Sequence, residues 1–269
     1  MIESKPSQKE QVAAVFGRAA PTYDRTGRFR YFGHRLVAAV GLVPGARVLD
    51  IAAGRGAILF PAAEQMGPDG KVVGIDLSEP MVKLTAADIQ RQRLTQAEIF
   101  CMDAERLTFD PASFDAVFCG FSIQYFPKLD QTLTEFRRML RPGGVLAVSA
   151  WGQGDPRWAR LQKLRRRYGI GESLGNTRLR QPSDLESVLR KSGFEPVTVW
   201  TDEAEFTFES ETEWWEDLWA SGPRAGLEQL ASDTLAHFKR EAFECLQELR
   251  GPNGFTEQRQ AIFGRGVNP

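Results

Sequence analysis

The stretch RVLDIAAGRGA, Arg47 to Ala57, joins an apolar run to an acidic residue and a glycine-rich turn. Asp50 falls near the end of the apolar run, and Gly54 and Gly56 follow shortly after it. Glycine lets a bound molecule lie against the backbone, and ligands of open α/β sheets bind beyond the carboxyl ends of the strands. The stretch therefore predicts a strand, residues 47–51, whose carboxyl end holds a ligand.

The spacing of this turn distinguishes two kinds of ligand. A dinucleotide-binding turn has the pattern Gly-x-Gly-x-x-Gly, whereas this chain has Asp50-x-Ala52-x-Gly54-x-Gly56. A carboxylate would repel a diphosphate beside it but attract the ammonium group of an amino acid. The pattern favours a ligand with a cationic amino-acid part.

Apolar runs with β character alternate with helical patterns along much of the chain. The predicted strands are residues 47–51, 71–76, 97–102, 114–121 and 145–151, and two further candidates begin at Glu195 and Arg259. This alternation predicts a doubly wound parallel sheet in an α/β fold. We divide the chain into a helical N-terminal lid over the site (1–40), a core (41–153), and the last strands with helical insertions (154–269).

Composition sets the broad class of the protein. The 269 residues carry a formal net charge of -1, and 42% of them are hydrophobic, which is typical of a globular protein. We expect no nucleic-acid partner, because there is no basic excess, and no membrane insertion, because no apolar run could span a bilayer. The three cysteines and two histidines show no metal-ligand spacing, so we expect no zinc site and a cytoplasmic protein with reduced thiols.

Five segments resemble the class I S-adenosylmethionine-dependent methyltransferases, and most closely the small-molecule branch of the ubiquinone/menaquinone-biosynthesis type. They are FGRAAPTYD, VLDIAAGRGA, VVGIDLSEPMV, MDAERLTFDPASFDAVFCGFSIQYFP and MLRPGGVLAVSAWG, within about residues 16–151. The chain departs from the family at Ala52, where the first glycine is usual. The resemblance implies a Rossmann-like, mostly parallel seven-stranded sheet and S-adenosyl-L-methionine as the cofactor.

The resemblance also assigns roles to residues at the strand ends. It implies that Asp50 lies near the α-ammonium group, that Asp76 accepts hydrogen bonds from the ribose hydroxyls, and that Asp103 faces the adenine amino group. Tyr23 matches a position that closes over the cofactor. The predicted cofactor-binding residues are Tyr23, Asp50, Ala52, Gly54, Gly56, Asp76, Leu77, Met81, Asp103, Ala104, Gly120 and Phe121.

The methyl acceptor is expected to be a small molecule held among aromatic residues. All six tryptophans follow residue 150. Trp215 and Trp219 share one face of a predicted helix, and the pair predicts either an acceptor pocket or a stripe packed in the core. The predicted substrate-binding residues are His34, Gln124, Trp151, Arg166, Arg178, Arg180, Trp215 and Trp219.

Residues 157–180 are dense in arginine, although the whole chain has no positive net charge. The segment predicts either a solvated helix face or an anion clamp, because arginine binds a diphosphate through parallel hydrogen bonds. In the second case the acceptor is a prenyl diphosphate, held with Mg²⁺ by arginines among Arg165, Arg166, Arg167, Arg178 and Arg180. Methylation of its alkene carbon creates a carbocation, which aromatic faces would stabilise and Glu172 would deprotonate.

Three functions are consistent with these patterns. The first is methylation of a small apolar metabolite, in particular of an isoprenoid carbon, by a methyltransferase with Glu172 and Tyr23 as its catalytic residues. The second is O- or N-methylation of an aromatic or polyketide secondary metabolite, with His34 or Tyr23 as the base. The third is a non-catalytic relative that binds the cofactor as a sensor or scaffold. The sequence leaves open whether the chain forms a homo-oligomer.

Overall fold

The computed structural model describes residues 6–171, 175 and 179–269 and contains one seven-stranded sheet. Its strands are β1 (Arg47–Ile51), β2 (Lys71–Asp76), β3 (Ala97–Cys101), β4 (Phe114–Gly120), β5 (Leu140–Gly154), β6 (Val197–Phe208) and β7 (Phe255–Val267). Their order in the sheet is β3-β2-β1-β4-β5-β7-β6. The first five strands are parallel, and β7 runs antiparallel to β5 and β6. The predicted mostly parallel sheet is confirmed.

Helices cover the sheet and form the segments before β1 and between β5 and β7. They are α1 (Gln8–Ala19), α2 (Arg28–Val40), α3 (Leu59–Met66), α4 (Glu79–Gln92), α5 (Leu129–Met139), α6 (Ala159–Arg167), α7 (Pro182–Lys191), α8 (Glu211–Trp219), α9 (Arg224–Leu227) and α10 (Ser232–Gln247). Short 3₁₀ turns lie at Ala20–Thr22, Ile123–Tyr125 and Pro156–Trp158. In the part of the chain that the structure describes, no helix has both the length and the apolar character needed to cross a membrane.

The strand order reverses at β1, and this reversal positions the site. β1 pairs with β2 on one side and with β4 on the other, so the connections after β1 and β4 leave in opposite directions. Such a switch point opens a crevice beyond the carboxyl ends of the strands. The stretch that follows β1 lies at this crevice.

The last three strands are longer than predicted. β5 begins at Leu140, β6 ends at Phe208, and β7 begins at Phe255. β6 and β7 pair without interruption from Val197 opposite Gly266 to Phe208 opposite Phe255. Most side chains of β6 are exposed or half-buried, so it lacks the apolar run by which a buried strand is recognised. This two-stranded extension carries α8, α9 and α10.

The N-terminal segment consists of two parts with different packing. Phe32, Leu36 and Val37 of α2 are buried in the sheet core, and a Cβ on Gly33 would lie 2.1 Å from the Ala57 carbonyl oxygen. α2 is therefore an integral part of the core. Residues of α1, Tyr23 after the 3₁₀ turn, and the first residues of α2 line the crevice.

Candidate active site

A cavity of about 420 Å³ lies at the carboxyl ends of the strands, between the sheet and the helical segments. Residues after β1, β2, β3 and β4 form its floor, and residues of α1, α2, α6 and α8 form its walls. A smaller cavity of about 40 Å³ adjoins it between the ends of β1 and β4. The two cavities share Tyr23, Phe29, Ala52, Gly54, Phe121 and Ser122 in their linings.

Asp76 at the end of β2 ties together the turns after β1 and β2. Its Oδ2 accepts the Gly54 N–H at 2.8 Å, and its Oδ1 accepts the Ser78 N–H at 2.8 Å. Burial raises the pKa of Asp76, although these N–H groups oppose the shift. Asp76 also lines the main cavity, and a carboxylate has about four lone pairs in all, so it can accept hydrogen bonds from ligand hydroxyls as well.

Asp50 is the buried acid of the smaller cavity. Only 1% of it is exposed, and its Oδ2 has no hydrogen-bond partner. Burial raises the pKa of Asp50 well above its usual range, and the neighbouring Asp76 adds to this shift, while the Leu59 N–H opposes it. Ala52 and Gly54 both have positive φ, 53° and 52°, which turns the backbone around this carboxylate. A ligand ammonium group would satisfy the orphaned oxygen and compensate the buried charge.

The substitution Asp50→Asn tests this arrangement. Between the usual carboxyl pKa and the raised pKa of folded Asp50, the folded chain binds more protons than the unfolded chain. The stability of the wild type therefore falls as the pH rises through this window. Asparagine does not ionise, so it avoids the cost of a buried negative charge. We expect the variant to be more stable than the wild type at pH 8, and the difference in stability to be smaller at pH 5. The resemblance implies a cofactor with an α-ammonium group, and the same change should weaken binding of its demethylated product, S-adenosylhomocysteine, about tenfold, because the ammonium partner is lost.

Thermal unfolding at both pH values and calorimetric titration measure the two effects. Asp69→Asn, at an exposed turn position, is the matched control. A stability difference that does not change with pH would contradict the buried, shifted carboxyl group.

Asp103 after β3 is held by the N-terminal helix. Lys9 of α1 donates to Asp103 Oδ2 and also bonds Glu105 Oε2 at 3.0 Å. Burial alone would raise the pKa of Asp103, but Lys9 and the Glu105 N–H together lower it. Asp103 is thus an ionised acceptor at the edge of the main cavity, and Lys9 connects α1 to it.

These acids lie in the region that is similar to known proteins. The methyltransferase domain family matches residues 48–144. Nocamycin O-methyltransferase of Saccharothrix syringae is 42% identical over 137 residues, which are 50% of this chain and 49% of that protein. Aklanonic acid methyltransferase of Streptomyces sp. is 38% identical over 146 residues, 54% of this chain and 66% of that protein. The chain thus spans about half of the first relative and 66% of the second.

A third relative covers more of both chains. Demethylmenaquinone methyltransferase of Listeria welshimeri is 32% identical over 175 residues, which are 62% of this chain and 73% of that protein. The chain belongs to the S-adenosylmethionine-dependent methyltransferase family. Phosphoethanolamine N-methyltransferase 2 of Haemonchus contortus, solved with S-adenosylhomocysteine, has a TM-score of 0.56 at 20% identity and covers 89% of this chain and 53% of that chain. At this identity the likeness shows the fold alone.

The residues present suit the cofactor of this methyltransferase family. S-adenosylmethionine supplies an electrophilic methyl group on a sulfonium centre. Asp50 and the turn at Gly54 would hold its amino-acid part, Asp76 its ribose, and Asp103 its adenine amino group. The unpartnered Oδ2 of Asp50 and the free lone pairs of Asp76 support this fit.

Nearly all residues predicted to bind the cofactor line one of the two cavities. The main cavity is lined by Tyr23, Ala52, Gly54, Asp76, Leu77, Met81, Asp103, Ala104 and Phe121. Asp50 and Gly120 line the smaller one. Gly56 lines neither: its φ is +78°, and a Cβ there would lie 2.4 Å from the Phe60 ring. The tight turn therefore requires a glycine at position 56.

A cluster of aromatic rings lines the main cavity. Tyr23 stacks on Phe29 with ring centroids 4.9 Å apart, and Phe121 stacks on Trp151 at 4.1 Å. Phe29 contacts Trp151 edge-on at 5.5 Å. Burial raises the pKa of Tyr23 well above its usual range, and the nearby Asp24 adds to the shift. The phenol therefore stays protonated at neutral pH, which argues against Tyr23 as a general base.

The predicted acceptor residues divide between the cavity and other places. Gln124, Trp151 and Arg180 line the main cavity. His34 and Arg166 are exposed on α2 and α6 and do not line it. The structure therefore corrects the prediction of His34 as a base and of Arg166 as a substrate ligand. Glu172 and Arg178 lie outside the described residues.

The tryptophan pair of α8 also lies away from the cavity. Trp215 and Trp219 contact each other at 6.3 Å, and Trp215 packs against Phe238 of α10 at 5.9 Å. Neither ring lines the cavity. The predicted acceptor pocket at these residues is corrected: the two rings pack within the helical insertion, against α10, and not on the central sheet.

The sequence analysis missed a set of charged residues on the cavity wall. Arg28 and Asp217 form a buried ion pair at 2.6 Å, and Arg259 pairs with Glu257 at 2.8 Å. A signal for Arg28 existed, because it shares a helix face with the buried Phe32 and Leu36 at spacings of four residues. A charged residue on the apolar stripe of a helix predicts a buried partner.

Proposed function

We propose that this chain transfers a methyl group from S-adenosylmethionine to an oxygen atom of a small aromatic, polyketide-type acceptor. The observation that carries the proposal is one continuous cavity. Strand-end acids line one half of it, and the stacked rings of Phe29, Phe121 and Trp151 border the other half. Such rings favour a flat apolar molecule. The name of one relative, nocamycin O-methyltransferase, supports transfer to oxygen, and the name of another, aklanonic acid methyltransferase, supports a small-molecule acceptor.

The chain's own contribution to the reaction is alignment and exclusion of water. In-line methyl transfer gains rate when the acceptor atom is held close to the methyl group in a dry pocket. Phe16 of α1 contacts Tyr23 at 6.0 Å and Tyr125 at 5.5 Å, so α1 and the 3₁₀ turn cover the cavity with aromatic surface. This cover is the part of the predicted lid that would close over both substrates.

The predicted diphosphate clamp is the weaker alternative. Arg166 is exposed, and Arg167 lies on the surface with Glu241 as its partner. Of the arginines predicted for the clamp, only Arg165 and Arg180 line the cavity among the described residues. The described residues also contain no group of three or more His, Cys, Asp or Glu side chains that could hold a metal ion. We therefore place methylation of a prenyl diphosphate, with Mg²⁺, second.

A turnover screen with methyl-labelled cofactor tests the proposal. We expect label to enter hydroxylated naphthalenes or anthraquinones, with formation of S-adenosylhomocysteine, and expect no label in geranyl or farnesyl diphosphate with or without Mg²⁺. Asp76→Asn is the inactive control. Label in a prenyl diphosphate alone would reverse the order of the two functions. Cofactor binding without turnover on any acceptor would instead favour a non-catalytic scaffold.

A further inference from the structure

Three arginines from separate elements meet on the cavity wall away from the adenine end. Arg28 comes from α2, Arg165 from α6 and Arg259 from β7, and all three line the main cavity. The Arg28 guanidinium lies 5.1 Å from the Phe29 ring centroid, and that of Arg259 lies 5.7 Å from Trp151. The cluster therefore borders the aromatic wall, on the side where the acceptor is proposed to bind.

Two of these arginines already have carboxylate partners. Arg28 pairs with Asp217, their side chains 6% and 5% exposed, and Arg259 pairs with Glu257, which is 6% exposed. Arg165 makes no ion pair with any residue that the structure describes, and its Nε is buried without a hydrogen-bond partner. Asp217 and Glu257 also stabilise the Arg165 charge through space, and Asp24 acts in the same way on Arg28. Arg165 is thus the arginine of this cluster that has no direct carboxylate partner among the described residues.

Arg165 is half-buried, and its buried Nε–H lacks an acceptor. An unsatisfied buried donor is unfavourable, so a ligand that supplies an acceptor there would be stabilised. Burial lowers the pKa of Arg165 to about 10, and the nearby Arg259 contributes to the shift. The side chain nevertheless remains protonated at neutral pH. Because Arg28 and Arg259 already have carboxylate partners, Arg165 is the arginine of this cluster that is left to attract an anion.

We propose that Arg165 binds an anionic oxygen group of the methyl acceptor, so that this site selects acidic over neutral acceptors. The inference rests on the proposed function, because it assigns the substrate class of the same cavity. The arginine fork matches a carboxylate or an enolate pair of oxygens through two hydrogen bonds. An acceptor oxygen ionised near this charge would also need no side-chain base, which agrees with the exposed position of His34 and the protonated Tyr23.

Binding of a matched pair of probes to the full chain tests this assignment. The probes are 3-hydroxy-2-naphthoate and 3-hydroxy-2-naphthamide, titrated in the presence of saturating S-adenosylhomocysteine. We expect wild type to bind the acid at least tenfold more tightly than the amide. Arg165→Met should remove this preference, and Arg165→Lys should retain part of it. Arg166→Met, on the exposed face of the same helix, should keep the wild-type preference.

The outcomes separate this inference from the function on which it rests. If the wild type does not bind S-adenosylhomocysteine, the proposed function is refuted. If the wild type binds S-adenosylhomocysteine but shows no preference for the acid over the amide, only the role of Arg165 is refuted. An acid preference that persists in Arg165→Met would also overturn it. Titration with geranyl diphosphate, with and without Mg²⁺, tests whether the anionic group that Arg165 binds is a diphosphate instead of a carboxylate. Cofactor affinity within twofold of wild type shows that each variant is folded at the site.

Discussion

Replacing Arg28 by methionine is expected to lower the free energy of unfolding by about 3–5 kcal/mol, because it leaves Asp217 as a buried carboxylate without its partner. The side chains of the pair are 6% and 5% exposed, and Arg28 Nη1 lies 2.6 Å from Asp217 Oδ1. Arg28 Nη1 also donates to Thr26 Oγ1 at 2.9 Å. Methionine fills much of the space but supplies neither the charge nor these hydrogen bonds.

Urea unfolding of the variant and two controls measures this effect. Removing both charges, in Arg28→Met with Asp217→Leu, should restore most of the lost stability, since no unpaired charge then remains. Arg25→Met breaks the exposed pair with Glu216, whose side chains are 42% and 44% exposed and 2.8 Å apart, and should change stability little. A loss in the double variant as large as in Arg28→Met would show that packing, and not the charge pair, connects α2 to α8.

Asp76→Asn is expected to weaken S-adenosylhomocysteine binding at least about 100-fold. Ribose hydroxyls would donate two hydrogen bonds to the carboxylate, and hydrogen bonds to a charged group contribute about 1.5–3 kcal/mol each. Asparagine has one oxygen, so its amide group would face the N–H of Gly54 or Ser78, both of which now donate to Asp76. The turn after β1 should loosen as a result.

Calorimetric titration measures the affinity for S-adenosylhomocysteine. Thermal unfolding measures how far the substitution has destabilised the turn after β1. Because burial raises the pKa of Asp76 and the ribose needs the ionised form, wild-type affinity should fall as pH decreases through that raised pKa. The asparagine variant should lose the part of this pH dependence that is due to ionisation of Asp76. Unchanged affinity in the variant would remove the ribose assignment.

The strand-end acids could be predicted because each of them follows a strand that is recognisable from its own residues. Asp50, Asp76 and Asp103 lie at or just after the ends of β1, β2 and β3. Parallel strands bring their carboxyl ends to one edge, so a local pattern repeated along the chain specifies a site in space. The resemblance to a known family rests on the same segments, and it faded where the parallel strands end.

The aromatic and basic segments were misleading for one reason. Helical periodicity shows which residues share a face, but it does not show what the face packs against. Trp215 was expected at the acceptor, yet its face packs against Phe238 of α10. Arg165 and Arg166 were both candidates for an anion clamp, yet only Arg165 of these two lines the cavity, whereas Arg166 is exposed. One residue along a helix changes the direction of a side chain by about 100°.

Local sequence was sufficient for the first four strands and for the acids at the ends of β1, β2 and β3, because hydrophobic periodicity and turn residues are short-range properties. The arrangement of charged residues on the side of the cavity where the acceptor is proposed to bind depends on tertiary packing. Arg28, Arg165, Asp217 and Arg259 belong to four elements far apart in the chain, and the β6–β7 extension and its helices bring them together. Which of these cations remains unpaired depends on distances of a few ångströms between side chains. Those distances arise only when the insertion packs against α2, so no stretch of sequence contains them.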